Sequence, residues 1–286
     1  MRQDWAFAFS KRWAGYLALA IVFAIVCSLL GVWQLNRRAE ARVEIDRFDS
    51  NYASEPVPVD DVLPDPDAFD PDDKWTPIVV AGRYLHEQEL LVRARPYNGS
   101  PGFEVLTPLQ LDDGSIFIVD RGWVSPGSRQ DTPDAIPRAP EGVVTVVARL
   151  KAAEPALPNR SAPEGQVATI ELPAIAAMLG EAGTDDEVYT GAYGLMVSES
   201  PAAEARPLAP PKPVRDEGPH LSYALQWFVF AIFGFIGLGY ALRQEYRLVN
   251  VDDPDERERA EQRRVREAKR RPSDSEIEDE LLDAAR

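Results

Sequence analysis

Two long runs without a charged residue constrain this chain more than any other feature. The first extends from Trp13 to Trp33, and the second lies between His220 and Arg243. Each holds about 21 or 22 residues, and a helix of that length crosses the hydrocarbon core of a bilayer. The first run exceeds a signal-peptide core in length, and no small-residue cleavage pattern closes it. We therefore predict two retained transmembrane helices, with the lipid bilayer as one partner.

The first run carries small residues at every fourth position, Ala20, Ala24 and Ser28. At this spacing they share one helix face, which either lets a second helix approach closely or simply faces lipid. The single cysteine, Cys27, lies in the same run. One cysteine leaves neither a disulfide framework nor a cysteine metal cluster.

Charge argues against nucleic acid as a partner and sets the expected orientation. The net charge is −16, whereas binding a phosphate backbone requires a basic face. The segment 35–219 holds 17 basic and 32 acidic residues. Basic residues flank the two runs on their outer sides in sequence, namely Arg2, Lys11, Arg12, Arg243 and Arg247. By the positive-inside rule both termini are cytoplasmic, although Arg37, Arg38 and Arg42 count against this orientation.

The segment between the two runs changes character twice. Residues 31–42 continue the first helix, and residues 49–74 are rich in proline and aspartate, which excludes a regular helix or a central strand. From Trp75 short β-like runs alternate with turn signals such as Asn98-Gly99 and Asp113-Gly114. One short helix, LPAIAAMLG, is predicted to end at Gly180.

Because helices do not alternate with these strands, we predict an α+β membrane protein. Its two transmembrane helices flank a mostly antiparallel β extracytoplasmic domain. The predicted parts are a cytoplasmic N-terminus (1–12), transmembrane helix 1 (13–34), a helical exit with a Pro/Asp-rich connector (35–74), the α+β domain (75–199), a Pro-rich linker (200–219), transmembrane helix 2 (220–243) and a charged cytoplasmic tail (244–286).

The sequence contains no nucleophile elbow, P-loop, zinc-protease or C-x-x-C motif. We therefore predict that the protein is not an enzyme. His86 lies in a turn between two strands and is expected to be exposed. Arg121-Gly122-Trp123 ends a strand abruptly, because Gly122 permits a sharp turn. Arg121 and Trp123 then either line a surface that docks a partner or form a bulge that packs Trp123 into the domain.

His220, at the start of the second run, is the stronger candidate for chemistry. It follows Gly218-Pro219, so a helix begins close to it. The positive end of the helix dipole and partial burial both disfavour the imidazolium form. A neutral imidazole suits a metal or a haem iron. Tyr223, Ala224 and Trp227 share its helix face, and the small Ala224 between aromatics leaves room for a flat ligand. The alternative is an interfacial histidine beside aromatic membrane anchors.

Three motifs stand in order along the chain. They are G-V-W-Q-L-N-R at 31–37, I-V-D-R-G-W-V at 118–124 and H-L-S-Y-A-L-Q-W at 220–227. They resemble the G-x-W-Q-x-x-R, V-N-R-G-W and H-x-x-Y-A-x-x-W motifs of the surfeit locus protein (Surf-one) family, the cytochrome c oxidase assembly factors. The resemblance covers about residues 13–245. Asp120 stands where the family pattern often has asparagine.

This resemblance implies a membrane assembly factor of a bacterial cell membrane. It would help to insert or stabilise haem a in the catalytic subunit of cytochrome c oxidase. The resemblance makes His220 the haem-iron ligand and Tyr223 and Trp227 the walls of the haem site. The residues assigned to binding the oxidase or a respiratory supercomplex are Trp33, Gln34, Arg37, Arg121, Gly122 and Trp123. The alternative is a structural accessory subunit of the oxidase or supercomplex that binds no haem.

Overall fold

The computed structural model describes residues 5–129, 131–181 and 187–268. Arg2 and the predicted tail beyond residue 268 lie outside these ranges. The chain divides into two units, one formed by Met1–Ala39 with Gly218–Arg286 and the other by Glu40–Glu217. We call them the helical unit and the β unit. The boundary at residues 39 and 40 falls within the first long helix.

Helices and strands follow the predicted sequence segments closely. In chain order the described elements are α1 (Lys11–Asn51), β1 (Val57–Pro58), α2 (Val59–Val62), β2 (Pro77–Tyr84), β3 (Leu90–Val92), β4 (Phe103–Leu111), β5 (Ile116–Val124), β6 (Val144–Ala152), β7 (Gln166–Val167), α3 (Leu172–Glu181), β8 (Ala192–Ser200), α4 (His220–Val249) and α5 (Pro254–Ala268). Short 3₁₀ turns lie at Ala6–Phe9, Pro71–Asp73 and His86–Gln88.

In the helical unit, α1 and α4 are both long and apolar enough to cross a membrane. Their buried or half-buried positions recur at steps of three or four residues, which is the spacing of helices that pack side by side. On α1 these positions are Ala20, Ala24, Cys27, Gly31 and Gln34. On α4 they are His220, Ala224, Phe228, Ala231, Gly234 and Leu238.

Glycines allow the two helices to approach closely. A Cβ on Gly31 would lie 2.8 Å from Phe228 Cζ, and one on Gly234 would lie 3.0 Å from Phe23 Cδ1. The predicted small-residue face is therefore correct only in part, since Ser28 is exposed while Cys27 is buried. The contact line follows the 3.5-residue repeat of packed helices and not a strict four-residue step.

The β unit is built around a barrel-like sheet in which five strands close a ring. β2 pairs with β6 along residues 77–82 and with β4 at residues 82–84, and β8 and β5 complete the circuit. β1, β3 and β7 extend the sheet outside the ring. The pairings are antiparallel except β1–β2, β3–β7 and β5–β8, so the predicted α+β class with a mostly antiparallel sheet is confirmed, while the closure was not predicted.

Two apolar clusters pack on the two faces of this sheet. One draws buried residues from all five ring strands, among them Ile78, Leu109, Phe117, Val146 and Met196. The other lies on the opposite face of β5, where α3 packs Leu172, Ile175 and Leu179 against Ile116 and Ile118. β5 is buried at every one of its nine residues, because both clusters cover it.

The turn predictions can be compared with the backbone directly. Gly114 has a φ of +92° in the turn that joins β4 to β5, so the hairpin at Asp113-Gly114 is confirmed. Asn98 and Gly99 both have positive φ in a tight turn. The Pro/Asp-rich connector holds the short elements β1 and α2. Gly180 lies inside α3, which continues to Glu181, so the predicted helix end at Gly180 is wrong.

The closure of the ring can be tested at Gly82, where the pairing of β2 changes from β6 to β4. A Cβ at Gly82 would lie 2.2 Å from the carbonyl oxygen of Gln110. We expect Gly82→Ala to lower the thermal midpoint of the full chain in detergent by several degrees, because the two strands must separate. At Gly180 a Cβ meets nothing within 4 Å. Gly180→Ala is the matched control and should be neutral or stabilising by up to about 1 kcal/mol. Equal midpoints for the two variants would contradict the closure.

Candidate functional site

The first candidate site joins two of the sequence motifs across the helical unit. His220 opens α4, and its Nδ1 lies 2.8 Å from Oε1 of Gln34 on α1. A helix brings Gly31 and Gln34 to one face, and the same face of α4 presents Phe228 and His220. The G-V-W-Q and H-L-S-Y motifs therefore meet through one hydrogen bond.

This hydrogen bond selects the tautomer that a neutral His220 adopts. The amide oxygen of Gln34 only accepts, so in the neutral imidazole the hydrogen lies on Nδ1 and Nε2 keeps its lone pair. Such a partner on one ring nitrogen is the usual way in which a metal-binding histidine is oriented. Gly218, at φ +69°, leaves the other ring edge uncovered, because a Cβ there would lie 3.2 Å from Nε2. The histidine is thus prepared to donate Nε2 to a ligand.

The other residues of the predicted haem site have different surroundings. Tyr223 is 49% exposed, and Trp227 is half-buried with its ring edge-on to Phe230 at 5.8 Å. Ala224 is fully buried between His220 and Phe228 on the face that meets α1. The space beside Ala224 is therefore filled by the protein, and the predicted gap for a flat ligand at that position is wrong.

The side chains of the G-V-W-Q-L-N-R motif point in two different directions from α1. Gln34 faces α4, whereas Trp33 is 54% exposed and Arg37 lies on the exposed side of α1. This division follows from the helical repeat, since successive residues differ by about 100° in direction. Binding of a partner by Trp33 and Arg37 stays a prediction.

The second candidate site is the bulge in β5 formed by Arg121-Gly122-Trp123. The register against β4 shifts here, and Gly122 adopts a φ of +127°, which favours glycine. Gly122 also lies directly beneath the linker to α4, because a Cβ on it would be 2.5 Å from the carbonyl oxygen of Leu208. All three residues are buried. Of the two predicted arrangements, a docking surface or a bulge that packs Trp123 into the domain, the structure has the packed bulge. A role in binding a partner stays a prediction.

Arg121 is a fully buried cation with partners on three sides. It donates to the carbonyl oxygens of Pro137 at 2.8 Å and Arg138 at 3.3 Å, and it pairs with Glu199 at 3.4 Å. Tyr84 donates to the other oxygen of Glu199 at 3.0 Å. A buried charge is tolerated only when it is paired and hydrogen-bonded in this way. Arg121 therefore holds the segment around Pro137 and Arg138 on the ring.

Trp123 fastens the linker that leads to α4. Its backbone exchanges two hydrogen bonds with Leu208, at 2.7 and 2.8 Å, while its indole nitrogen donates to the carbonyl oxygen of Arg95 at 2.8 Å. The same linker reaches the end of α1, where Lys212 lies over the ring of Tyr52 at 4.8 Å. The β unit thus holds its entering and leaving segments together.

Asp120 lies on the same bulge and is completely buried. Its Oδ1 accepts a hydrogen bond from the Gly122 amide at 2.9 Å, and within the described residues its Oδ2 has no partner. Burial raises the pKa of Asp120 to about 8, and the carboxylate of Glu104 adds to the increase, whereas the Gly122 amide opposes it. The side chain is therefore largely protonated at neutral pH and resembles an asparagine in charge.

These features describe a closed β unit attached to two apolar helices whose motifs meet at a Gln–His pair, and comparison with known proteins assigns the family. The sequence model of the SURF1 family matches residues 21–232. An uncharacterized SURF1-like protein of Mycobacterium tuberculosis is 34% identical over 241 residues, which cover 82% of this chain and 85% of that protein. The chain belongs to the SURF1 family.

Two more distant relatives show how far the likeness extends. A SURF1-like protein of Rickettsia felis is 24% identical over 221 residues, covering 76% of this chain and 91% of that protein. The cytochrome oxidase assembly protein SHY1 of Saccharomyces cerevisiae is 31% identical over 116 residues, covering 38% of this chain and 28% of that protein.

Sequence reasoning missed the residues that complete both sites. Gln34 was assigned to a partner and not to His220, and Leu208, Glu199 and Tyr84 received no role. The sequence does contain a signal that Gln34 faces the second helix. Gln34 and Gly31 lie on the same face of the first helix as the small residues Ala20 and Ala24. Leu208 has no such signal, since a single bridge in a Pro-rich linker leaves no periodic pattern.

The buried carboxyl of Asp120 makes stability depend on pH. Its folded pKa is raised, so its contribution is complete near pH 4 and is lost as pH rises towards about 8. Asp120→Asn removes this loss, and its advantage in unfolding free energy should grow with pH over that window by up to about 1.4 kcal/mol per unit. Denaturant titrations of the full chain in detergent at pH 5, 6.5 and 8 measure it. The exposed Asp112→Asn is the control, and a pH-independent difference for Asp120→Asn would exclude the buried, protonated carboxyl.

The contact between Gly122 and the Leu208 carbonyl oxygen can be tested by comparison with Gly99. Gly99 also has a positive φ, but no atom lies near the position of its missing Cβ. Gly99→Ala meets nothing within 4 Å at φ +84°, so it costs only backbone strain of about 1–2 kcal/mol. Gly122→Ala adds the collision with Leu208 and should also release the linker. Hydrogen exchange at the Leu208 amide should accelerate at least about tenfold in Gly122→Ala alone. Unchanged protection of that amide would show that Gly122 does not hold the linker.

Proposed function

We propose that this protein is a non-enzymatic membrane assembly factor for haem-a-containing cytochrome c oxidase. Its membership of the SURF1 family supports the proposal, as does its likeness to SHY1, which is named for cytochrome oxidase assembly. The two long apolar helices support insertion in a bacterial cell membrane. On this proposal both termini are cytoplasmic and the β unit is extracytoplasmic. Lys11, Arg12, Arg243 and Arg247 support this orientation, whereas Arg37, Arg38 and Arg42 oppose it.

The finer part of the proposal is that the protein helps to insert or stabilise haem a in the catalytic subunit of the oxidase. The observation that carries it is the hydrogen bond between Gln34 and His220. In a neutral imidazole this bond places the hydrogen on Nδ1 and leaves Nε2 as the donor that haem iron takes from histidine. Tyr223 and Trp227, one turn and two turns along α4, are the aromatic residues available to border a flat ligand.

The apolar surface of the helices supports a membrane partner. Large side chains on α1 and α4 remain exposed, among them Leu19, Leu29, Trp33, Phe233 and Tyr240. In a bilayer these faces meet lipid or the helices of the oxidase, where packing and interfacial aromatics determine association. A respiratory supercomplex offers the same kind of surface.

The second candidate function is a structural accessory subunit of the oxidase or supercomplex that holds no haem. The burial of Ala224 favours it, because the gap expected for a flat ligand between the aromatics is filled. Both functions predict association with the oxidase, and only the first predicts haem on the purified protein.

Haem content on the full chain, purified from a host that makes haem a, separates the two. We expect His220→Ala to abolish the haem measured by pyridine haemochrome. We expect Gln34→Leu, which removes the acceptor that orients the imidazole, to weaken haem affinity by about tenfold. Gln34→Glu keeps an acceptor oxygen and should retain most of the haem.

Trp33→Ala is the matched control, because Trp33 lies on the exposed side of α1 next to Gln34. It should leave haem content unchanged and lower the amount of oxidase that co-purifies. If wild-type protein carries no haem yet co-purifies with the oxidase, the accessory role is correct. If His220→Ala retains wild-type haem and spectrum, another residue ligates the iron.

A further inference from the structure

A small cavity of about 220 Å³ lies within the β unit, beneath the linker residues 209–213. β6 contributes Arg149 and Lys151, and the rings of Tyr52 and Trp75 stand on its walls. Three prolines of the linker, Pro210, Pro211 and Pro213, cover it. Neither the three sequence motifs nor the proposed haem site uses these residues.

Positive charge is concentrated at this cavity. Arg149 and Lys151 are two residues apart on β6 and therefore point to the same face of the sheet. Nε of Arg149 donates to the carbonyl oxygen of Tyr52 at 3.0 Å, and its guanidinium lies 3.8 Å from the Tyr52 ring centroid. Lys151 Nζ lies 5.9 Å from the Trp75 ring centroid. A third cation, Lys212, lies at the edge, 4.8 Å from the Tyr52 ring.

These cations form no close ion pair with the acidic residues that the chain carries in excess. Within the described ranges no ion pair joins Arg149, Lys151 or Lys212 to a carboxylate, although the chain carries 47 acidic and 31 basic residues. Glu104 also lines the cavity, and its carboxylate pairs with Arg95 at 2.9 Å. Burial raises the pKa of Glu104, and the charges of Arg95 and of Lys151 oppose the increase. Since Arg95 is the close partner of this carboxylate, Arg149, Lys151 and Lys212 leave an excess of positive charge beside the aromatic rings.

The chemistry of the lining selects the ligand class. Guanidinium and ammonium groups together bind a carboxylate or a phosphate through charge-assisted hydrogen bonds. The rings of Tyr52 and Trp75 and the prolines suit a short apolar body attached to that anion. The volume is below the roughly 300–1,000 Å³ of pockets that hold drug-sized ligands. We propose that this cavity is a binding site for a small organic or inorganic anion, held by Arg149 and Lys151 under the proline-rich linker.

A ligand in this cavity would also affect the linker that covers it. Residues 209–213 follow Leu208, which is bridged to Trp123, and precede α4. A bound anion would neutralise the cations beneath this segment and add contacts that hold it down. The ligand therefore stabilises the attachment of the linker to the β unit, which makes linker protection a readout independent of haem.

The test uses the full-length chain in detergent with two probes, inorganic phosphate and benzoate, at constant ionic strength set by sodium chloride. We expect saturable heat by titration calorimetry, a rise in thermal midpoint, and slower hydrogen exchange in residues 208–213 for one probe or both. Lys151→Gln should weaken binding about tenfold or more. Arg93→Gln, an exposed loss of the same charge outside the cavity, should leave it unchanged.

Two further variants keep the outcome decisive. If Lys151→Gln lowers the midpoint without ligand, Lys151→Arg, which keeps the charge, must retain binding. Arg149→Gln must weaken binding as Lys151→Gln does. Heats that do not saturate, or that are equal in Lys151→Gln and Arg93→Gln, overturn the proposal. An effect seen only with micelles that contain phosphatidylglycerol would assign the charge to lipid headgroups and also overturn the small-anion site.

Discussion

The complete burial of β5 is the constraint on which the β unit depends. A strand covered on both faces can carry apolar residues without cost, but this one also carries Asp120 and Arg121. The β-bulge resolves the conflict, because it directs the two polar side chains into different environments. Arg121 donates hydrogen bonds to a backbone carbonyl oxygen and to Glu199. Asp120 accepts a hydrogen bond from one backbone amide, and burial raises its pKa. The bulge requires Gly122, and Gly122 in turn leaves the space that Leu208 fills.

The bulge also holds the linker that leads to α4 on the β unit. The linker to α4 is held at Trp123, and farther along Arg215 pairs with Asp49 of α1 at 3.1 Å. Exposed ion pairs of this kind contribute little alone, so the two backbone hydrogen bonds between Trp123 and Leu208 have the larger effect. A defect in β5 would therefore loosen the linker without touching either helix. This is a physical reason for the RGW motif that involves no direct contact with a partner.

The sequence predicted what local patterns encode and missed what depends on contact between distant segments. Charge-free length located α1 and α4, and Asp113-Gly114 located the central hairpin, because these signals are contained in a few consecutive residues. The closure of the ring at Gly82 and the pairing of Gln34 with His220 join residues far apart in the chain. The space beside Ala224 could not be predicted, since a small residue creates either a gap or a close helix contact, and only the partner helix decides between them.

The G-V-W-Q motif of α1 presents two neighbouring residues to different surroundings. Gln34 faces α4 and sets the tautomer of His220, while Trp33 on the adjacent side faces outward. Both lie within one helical turn, so a displacement of α1 that moves Trp33 also moves the hydrogen-bond acceptor of His220. Gly31 and Gly234 leave room for the rings of Phe228 and Phe23, so these rings set the spacing of α1 and α4. Gln34 therefore links the position of α1 to the orientation of the His220 imidazole.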